Sequence, residues 1–180
     1  RYQTKYSKVF ETFVILSMLI PFASLMLPLV QVMKVLGLNN SMFGTILTYW
    51  GIGLAFAFFM MQSAVKGLPV ELEEAAYMEG CNIFQIYFRI IMPLSKPSFV
   101  TVGIFSFLWS YNDLFTQMFF LRTKDNWAIT ILLNNIASKE GVNYGMLFTS
   151  VTLIVIPILV VYMALQKYII KGMTVGAVKG

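Results

Sequence analysis

The sequence contains no histidine and a single cysteine, Cys81, among its 180 residues. A lone cysteine cannot form a disulfide within the chain. Without histidine, the common zinc and haem sites and the usual Ser-His or Cys-His nucleophile pairs cannot be built. The sequence also has no Gly-x-x-x-x-Gly-Lys-Ser/Thr phosphate-binding loop. These absences argue against an enzyme and predict that the chain itself binds no cofactor and no metal.

Charged residues are also scarce, at 12% of the chain, whereas 58% of the residues are hydrophobic. A soluble domain has about 25% charged and about 45–50% apolar residues. Apolar and charged positions are segregated into blocks, which indicates a chain embedded in a bilayer. The formal net charge of +5 is too dispersed to predict nucleic-acid binding.

Four apolar stretches have near the ~20 residues that are needed to cross a hydrocarbon core of about 30 Å. Because unpaired backbone groups are not tolerated in lipid, each stretch is expected to be helical. We therefore predict an all-α fold, a single polytopic transmembrane domain over residues 1–180. Prolines inside the spans are expected to kink them, and glycines in the second span suit close helix contacts. The predicted spans are Val9–Met33, Phe43–Val65, Ser98–Leu121 and Met146–Gln166.

Lysine and arginine predict the orientation of these spans. Nine of them fall in the leading residues 1–8, the loop 66–97 and the tail 167–180, which four spans place on one side. The opposite side holds four, namely Lys34, Arg122, Lys124 and Lys139. The positive-inside rule therefore places the loop 66–97 and both ends of the chain in the cytoplasm.

The loop 66–97 is unusually polar, since it contains half of the eight acidic residues of the chain. Pro69 is expected in the first turn of a short helix, where its missing N–H is harmless. Glutamates at 71, 73 and 74 then lie near the helix N-terminus, where the macrodipole favours negative charge. Gly80 is expected to end this helix in the left-handed conformation.

A second short helix is expected after Asn82, which can cap it. Pro93 and Pro97 are expected to end that helix and begin the next span. Residues at helical spacing predict one aromatic face, namely Phe84, Tyr87, Phe88 and Ile91. The loop is therefore predicted to be two short helices joined at a glycine.

Two interpretations of this loop are open. It could lie on the lipid headgroups as an amphipathic element. Alternatively, it could dock a protein partner that has basic residues. The acidic first helix favours docking, because the cytoplasmic leaflet is itself negative and attracts basic segments.

The loop resembles the signature of permease subunits in binding-protein-dependent ABC importers. That pattern is E-A-A, three residues, Gly, nine residues, Ile, one residue and Leu-Pro. Here Met92 stands where leucine is usual, and Glu79 replaces the aspartate that usually precedes the glycine. The matching positions are Glu74, Ala75, Ala76, Gly80, Ile90 and Pro93.

Further motifs extend the resemblance over essentially the whole chain. LPVELEEAAYMEG is similar to the opening of this loop in the carbohydrate-uptake branch. Asn112-Asp113 falls where that branch has Trp-Asn-Glu or Trp-Asn-Asp, with Tyr111 in place of the tryptophan. The end, ALQKYIIKGMTVGAVKG, resembles the tail of maltose-type permeases. The resemblance implies a fragment without the family's N-terminal portion, usually two further spans and an external segment.

The resemblance implies a sugar-importing, multi-pass subunit of a prokaryotic inner membrane, surrounded by lipid. Its implied partners are a second permease, an extracytoplasmic solute-binding protein and two cytoplasmic ATPase subunits, which bind the ATP and Mg²⁺. The two loop helices would sit in a cleft on the ATPase, with Glu74 paired to a basic residue, Gly80 setting the bend, and the alanines keeping the contact close. The residues assigned to this contact are Glu73, Glu74, Ala75, Ala76, Glu79, Gly80, Ile90 and Pro93.

Three polar residues, Asn112, Asp113 and Gln117, are expected inside the third span. A charge there is costly and should face the helix bundle or water. These residues could line the sugar path, join the two permeases, or tie helices together by hydrogen bonds, and the sequence leaves these roles open. The tail 167–180 is expected to be flexible, and the resemblance implies that it contacts the ATPase through Gly176, Lys179 and Gly180.

Other functions remain as alternatives. Within the same class, the solute could be a polyol, an oligosaccharide or a glycerol phosphate instead of a simple sugar. From a different class, an ion channel or a structural membrane protein would also be apolar and helical, but neither would require an acidic helix pair in the cytoplasm.

Overall fold

A computed structural model describes residues 4–138 and 143–177 of the chain, with side chains through residue 166. Within these residues the chain forms helices and no β-strand, so the predicted all-α fold is confirmed. In chain order the helices are α1 Lys5–Ser17, α2 Phe22–Val35, α3 Met42–Gly67, α4 Glu71–Met78, α5 Ile83–Leu94, α6 Lys96–Asn112, α7 Phe115–Phe120, α8 Ile129–Ser138 and α9 Tyr144–Ala177.

Two helices are long and apolar enough to cross a membrane by themselves. These are α3, with 26 residues, and the segment Tyr144–Gln166 of α9, with 23 residues. At 1.5 Å per residue they are about 39 Å and about 35 Å long, which exceeds a hydrocarbon core of about 30 Å. The described residues contain up to four spans if each of two bent helix pairs, α1 with α2 and α5 with α6, crosses as one unit.

The first predicted span is divided. The chain leaves the helix after Ser17, and α2 begins at Phe22 with its axis bent by 105° from that of α1. Pro21 stands at this break as the N-cap of α2. Because proline lacks an N–H and restricts the residue before it, it favours a break here over a continuous helix. Pro28, by contrast, lies within α2.

The third predicted span, Ser98–Leu121, is also not one helix. α6 has 17 residues and ends at Asn112. Asp113 has an extended backbone, with φ −77° and ψ 116°, and α7 restarts the helix at Phe115. Asp113 therefore lies in a helix break and not inside a continuous span. At its other end, α6 is bent by 64° from α5.

The packed interior is small. Met26, Met33 and Phe120 form a buried cluster that joins α2 to α7, and side chains of α3 pack against it. Most other large apolar side chains on α1 and α9 are exposed, and those on α3 are exposed or half-buried. Exposed apolar surface on this scale suits lipid or partner subunits.

At one end of α3, Asn40 joins two loops. Its backbone is left-handed, with φ 55°. Its side-chain Oδ1 accepts from the backbone N–H groups of Arg122 at 2.8 Å and Thr123 at 3.1 Å. Its own carbonyl accepts from Asn126 Nδ2 at 2.8 Å. Asn40 thus connects the α2–α3 loop to the segment after α7.

The glycines of α3 differ from the sequence-based expectation of close helix contacts. Gly51 and Gly53 have no atom within 4 Å of the position of an added Cβ. Gly44 is closely packed, but against its own preceding loop: an added Cβ would collide with the Leu38 carbonyl oxygen. Ser41 caps α3 by accepting from Gly44 N at 3.0 Å, which holds the two segments together.

We expect Gly44→Ala to destabilise the protein, because the new methyl group meets a backbone oxygen that cannot rotate away. Gly51→Ala in the same helix is the matched control. It has open space and gains helix propensity of about 1 kcal/mol. The measurement is the temperature at which the full-length protein in mild detergent loses its monodisperse elution peak. Equal melting temperatures for the two variants would contradict this packing.

Candidate functional site

Helix α4 carries the acidic residues of the loop. It begins at Glu71, and Glu71, Glu73 and Glu74 all lie in its first turn, as predicted. Carboxylates in this position are stabilised by the helix macrodipole. Pro69 does not occupy the first turn: Val70 is the N-cap, so the proline precedes the cap. The helix therefore begins two residues later than the sequence suggested.

Gly80 ends α4 as predicted, with φ +80°. Its N–H donates to the Tyr77 carbonyl at 3.0 Å, and the N–H of Cys81 donates to the Ala76 carbonyl at 3.0 Å. This pair of bonds is the Schellman motif, which requires a left-handed residue after the C-cap. Glycine is the residue that adopts this conformation without strain.

Asn82 caps α5, also as predicted. Its Oδ1 accepts from Gln85 N at 2.9 Å, and Gln85 Oε1 accepts from Asn82 N at 2.8 Å. These reciprocal bonds form a capping box. Between the Schellman bonds of α4 and the capping box of α5, the direction of the chain through residues 79–82 is fixed by hydrogen bonds on both sides of the turn.

The aromatic face of α5 differs from the predicted one. Residues Tyr87–Ile91 form a π-turn, in which the N–H of Met92 donates to the Tyr87 carbonyl. In a π-turn the bonds connect residues five apart, so Ile91 lies on the same side as Ile86. Ile91 is therefore buried and does not belong to the aromatic face. Pro93 follows the π-turn and lies inside α5, so it does not end the helix, which reaches Leu94.

A small apolar cluster holds the loop against the end of α3. Ala76, Ile86 and Ile91 are buried, and Val65 and Leu68 pack against them. Ala76 is only 4% exposed, so within this chain it packs α4 against α5 and is not presented to a partner surface. Ile90 and Cys81 also pack on this cluster.

The outer surface of the loop combines exposed carboxylates with exposed apolar side chains. Met78 is 89% exposed and Phe84 is 71% exposed. Glu74, Ala75, Glu79 and Gly80 are also exposed, whereas Glu73 is half-buried. In the described part of the chain, no basic side chain pairs with Glu74 or Glu79. The apolar side chains of this surface are Leu72, Tyr77, Met78, Ile83, Phe84, Tyr87 and Phe88.

A second group of polar residues surrounds the break at Asp113. Tyr49 Oη of α3 donates to Asp113 Oδ2 at 2.9 Å, and Thr116 N donates to Asp113 Oδ1 at 3.2 Å. Thr130 Oγ1 of α8 lies 3.3 Å from the Asp113 carbonyl oxygen. The break is thus paired by side chains from two other helices, and Tyr49 and Thr130 are participants that the sequence analysis did not identify.

Gln117 takes part in the same network. It is 6% exposed, and its Nε2 donates to the Ser110 carbonyl at 2.8 Å, while its Oε1 accepts from Thr130 Oγ1. Asn112 is exposed instead, and its Nδ2 donates to the Leu108 carbonyl of its own helix at 2.8 Å. Of the three predicted polar residues, two therefore converge on the network and one does not.

The remaining predicted contact residues lie on the C-terminal segment. α9 continues through Gly176 to Ala177, so most of the tail that was expected to be flexible is helical. Lys179 and Gly180 lie outside the described residues. Over residues 4–138 and 143–177, no three histidine, cysteine or acidic side chains converge as metal ligands would.

Comparisons with known proteins agree with these features. Residues 1–175 match the family described as "Binding-protein-dependent transport system inner membrane component". The chain is 36% identical over 179 residues to the arabinooligosaccharides transport system permease protein AraQ of Bacillus subtilis, an alignment that covers 99% of this chain and 63% of AraQ.

Two other relatives are named for related sugars. The alpha-glucoside transport system permease protein AglG of Rhizobium meliloti is 32% identical, over 91% of this chain and 44% of AglG. The probable starch degradation products transport system permease protein AmyC of Thermoanaerobacterium thermosulfurigenes is 29% identical, over 99% of this chain and 65% of AmyC. The chain thus spans less than two thirds of the length of these relatives. Its match over residues 1–175 shows that it belongs to the family of inner-membrane components of binding-protein-dependent transport systems.

Proposed function

We propose that this chain is a permease subunit of an ABC importer and that α4 and α5 receive the movement of a cytoplasmic ATPase dimer. The observation that carries this proposal is the fixed, exposed turn between the two helices. A contact that transmits movement must itself resist bending. Here the turn is held by the Schellman bonds at Gly80 and the capping box at Asn82, and the apolar cluster attaches both helices to the end of α3.

The chemistry of the outer surface supports a protein partner with basic residues. Glu74 and Glu79 are exposed carboxylates without a basic partner in the described chain, and they flank a surface of methionine and aromatic side chains. Interface centres are enriched in aromatic side chains and methionine. Glu74 is assigned as the partner of a basic residue on the ATPase. In this proposal ATP and Mg²⁺ bind to the ATPase subunits, and this chain binds no cofactor.

The arrangement of the helix ends supports a cytoplasmic location for this surface. Lys66 at the end of α3 forms an ion pair with Glu11 in the middle of α1, at 2.9 Å. The basic start of the described chain and the loop 66–97 therefore lie at the same end of α3. By the positive-inside rule that end faces the cytoplasm, and the Asn40 loops face the solute-binding protein on the other side.

A sugar is the proposed solute because relatives that align over most of this chain are named for arabinooligosaccharides, alpha-glucosides and starch degradation products. A second permease subunit is proposed to cover part of the exposed apolar surface. We assign Asp113 and Gln117 to the contact between helices rather than to the sugar path, since both atoms of the Gln117 amide and both oxygens of the Asp113 carboxylate are already paired within the chain.

Charge reversal by Glu74→Lys is expected to reduce uptake by the complete transporter at least tenfold, because it places like charges against each other at the docking surface. The same variant should recover less ATPase when the transporter is purified. Asp125→Lys, which reverses an exposed acid at the opposite end of α3, is the matched control for the second measurement and should leave the recovery of ATPase unchanged. Undiminished uptake by Glu74→Lys would refute the proposed docking.

The turn can be tested at Gly80 without changing any charge. Gly80→Ala should impair uptake, because a left-handed backbone costs an alanine about 1–2 kcal/mol, whereas no atom lies within 4 Å of the added Cβ. Gly80→Asn should be less affected, since asparagine tolerates this conformation. The expected order of uptake is Gly, then Asn, then Ala. Equal activity of all three would show that the turn geometry is not needed.

Cys81 reports the location of the loop. It is half-buried and follows Gly80 directly. A membrane-impermeant maleimide is expected to label it from the cytoplasmic side only, and bound ATPase should slow the labelling. Labelling from the outer side would contradict the orientation. Labelling at the same rate with and without ATPase would contradict docking while leaving the orientation intact.

A further inference from the structure

A cavity of about 440 Å³ lies between α1, the last turns of α3, α5 and the start of α6. It is open on one side, and its walls are mainly apolar, with most of the apolar side chains aromatic or methionine. In a membrane protein, an open apolar groove of this kind faces either lipid or another helix. The apolar lining includes Phe10, Phe58, Met61, Ile91, Met92 and Phe99.

One polar side chain is buried in this lining. Ser95 is 2% exposed, and its hydroxyl oxygen has no hydrogen-bond partner. The backbone N–H of Ser95 is satisfied by the Ile91 carbonyl at 2.9 Å, so only the hydroxyl is unpaired. A buried hydroxyl without a partner is destabilising. An occupant that brings a hydrogen-bond acceptor to this depth would remove the deficit.

The rim of the groove is charged. Lys66 and Glu11 both line it and form an ion pair with each other at 2.9 Å. An ammonium has three protons to donate and a carboxylate has about four acceptor sites, so each group can bind a second partner. From Phe58 to Lys66 is eight residues along α3, or about 12 Å. The groove therefore extends from a charged rim to an apolar interior. Its depth matches that of a lipid headgroup together with the upper part of one acyl chain.

We propose that this groove binds a diacyl phospholipid with a zwitterionic ethanolamine headgroup. One acyl chain lies along the phenylalanine and methionine wall. The ester carbonyl accepts a hydrogen bond from Ser95, and at the rim the phosphate meets Lys66 while the ammonium meets Glu11. The rim offers one charge of each sign, which complements a zwitterion better than it does an anionic headgroup.

A helix from another subunit is a poorer occupant. The surface of a membrane-spanning helix is mostly apolar and offers no charged partner to Lys66 and Glu11 at the rim, whereas a zwitterionic headgroup offers one to each. The lipid site requires only that the chain is a membrane component, so it does not depend on the proposed contact between the loop and the ATPase. The test of the lipid site can fail while the tests of ATPase docking succeed, and the docking tests can fail while the lipid test succeeds.

The test uses the complete transporter in phospholipid vesicles that contain a trace of phosphatidylethanolamine with a photoreactive group in its acyl chain. Illumination is expected to crosslink this lipid to Met61, Met92 and Phe99, as mapped by mass spectrometry. Unlabelled diacyl phosphatidylethanolamine should compete for crosslinking about three- to tenfold better than its dialkyl ether analogue. The ether lacks the ester carbonyl, and the loss of one hydrogen bond changes affinity by about this factor.

Variants test the role of the hydroxyl. Ser95→Ala should abolish the preference for the ester over the ether. Ser110→Ala is the matched control, since Ser110 lies on α6 and its hydroxyl already donates to the Phe107 carbonyl at 3.1 Å, so the preference should persist. The comparison of the two lipids on the unmodified transporter needs no variant and therefore stands even if Ser95→Ala does not fold.

Three outcomes would overturn the proposal. Equal competition by ester and ether lipids would show that the ester carbonyl does not bind Ser95. Equal competition by phosphatidylglycerol would show that the site does not select a zwitterionic headgroup. Absence of lipid crosslinks from the groove would show that a protein segment fills it, and a photoreactive residue placed at Met61 would then crosslink to protein.

Discussion

In an apolar surrounding, each N–H and carbonyl that a helix break releases must find another partner, and this constraint governs the architecture of the chain. The break after Asn112 is the main example. There the Asp113 carbonyl lies within reach of the Thr130 hydroxyl, and the Ser110 carbonyl accepts from Gln117. The Asp113 carboxylate accepts from the backbone N–H of Thr116 in the first turn of α7. These partners come from α7 and α8, and the Tyr49 hydroxyl brings α3 to the same point. The same contacts therefore satisfy the backbone groups at the break and hold the helices together.

The loop that contains α4 and α5 satisfies this constraint by local bonds instead. Between Tyr77 and Gln85 the chain changes direction. The turn is held by main-chain hydrogen bonds at the end of α4 and by the capping box at the start of α5. The tertiary attachment is small and apolar, formed by Ala76, Ile86 and Ile91 against the end of α3. As a result, Glu74, Glu79 and Phe84 are not needed to hold the loop together and remain available on its surface.

How far the sequence predicted these features depended on the range of the interactions involved. Gly80 and Asn82 were predicted correctly because their roles depend on conformational preferences of single residues. Ile91 was assigned to the wrong face because the helical period of 3.6 residues fails at a π-turn, which no single residue before Pro93 announces. The break at Asp113 was missed because its partners, Tyr49 and Thr130, are 64 and 17 residues distant in sequence. Asn40 was missed for the same reason, since its partners begin 82 residues away. The acidic first turn and the resemblance of the loop to permease signatures indicated the site, whereas its buried and exposed sides required the structure.

The Schellman bonds at Gly80 have a consequence for how such subunits diverge. Because main-chain atoms set the angle between α4 and α5, substitutions at Met78, Phe84 or Phe88 alter the chemistry of the surface without reorienting the helices. The surface can therefore change to fit a different protein partner while the angle between the two helices stays constant. One scaffold can in this way acquire new assembly preferences by ordinary point mutations, provided that the glycine is kept.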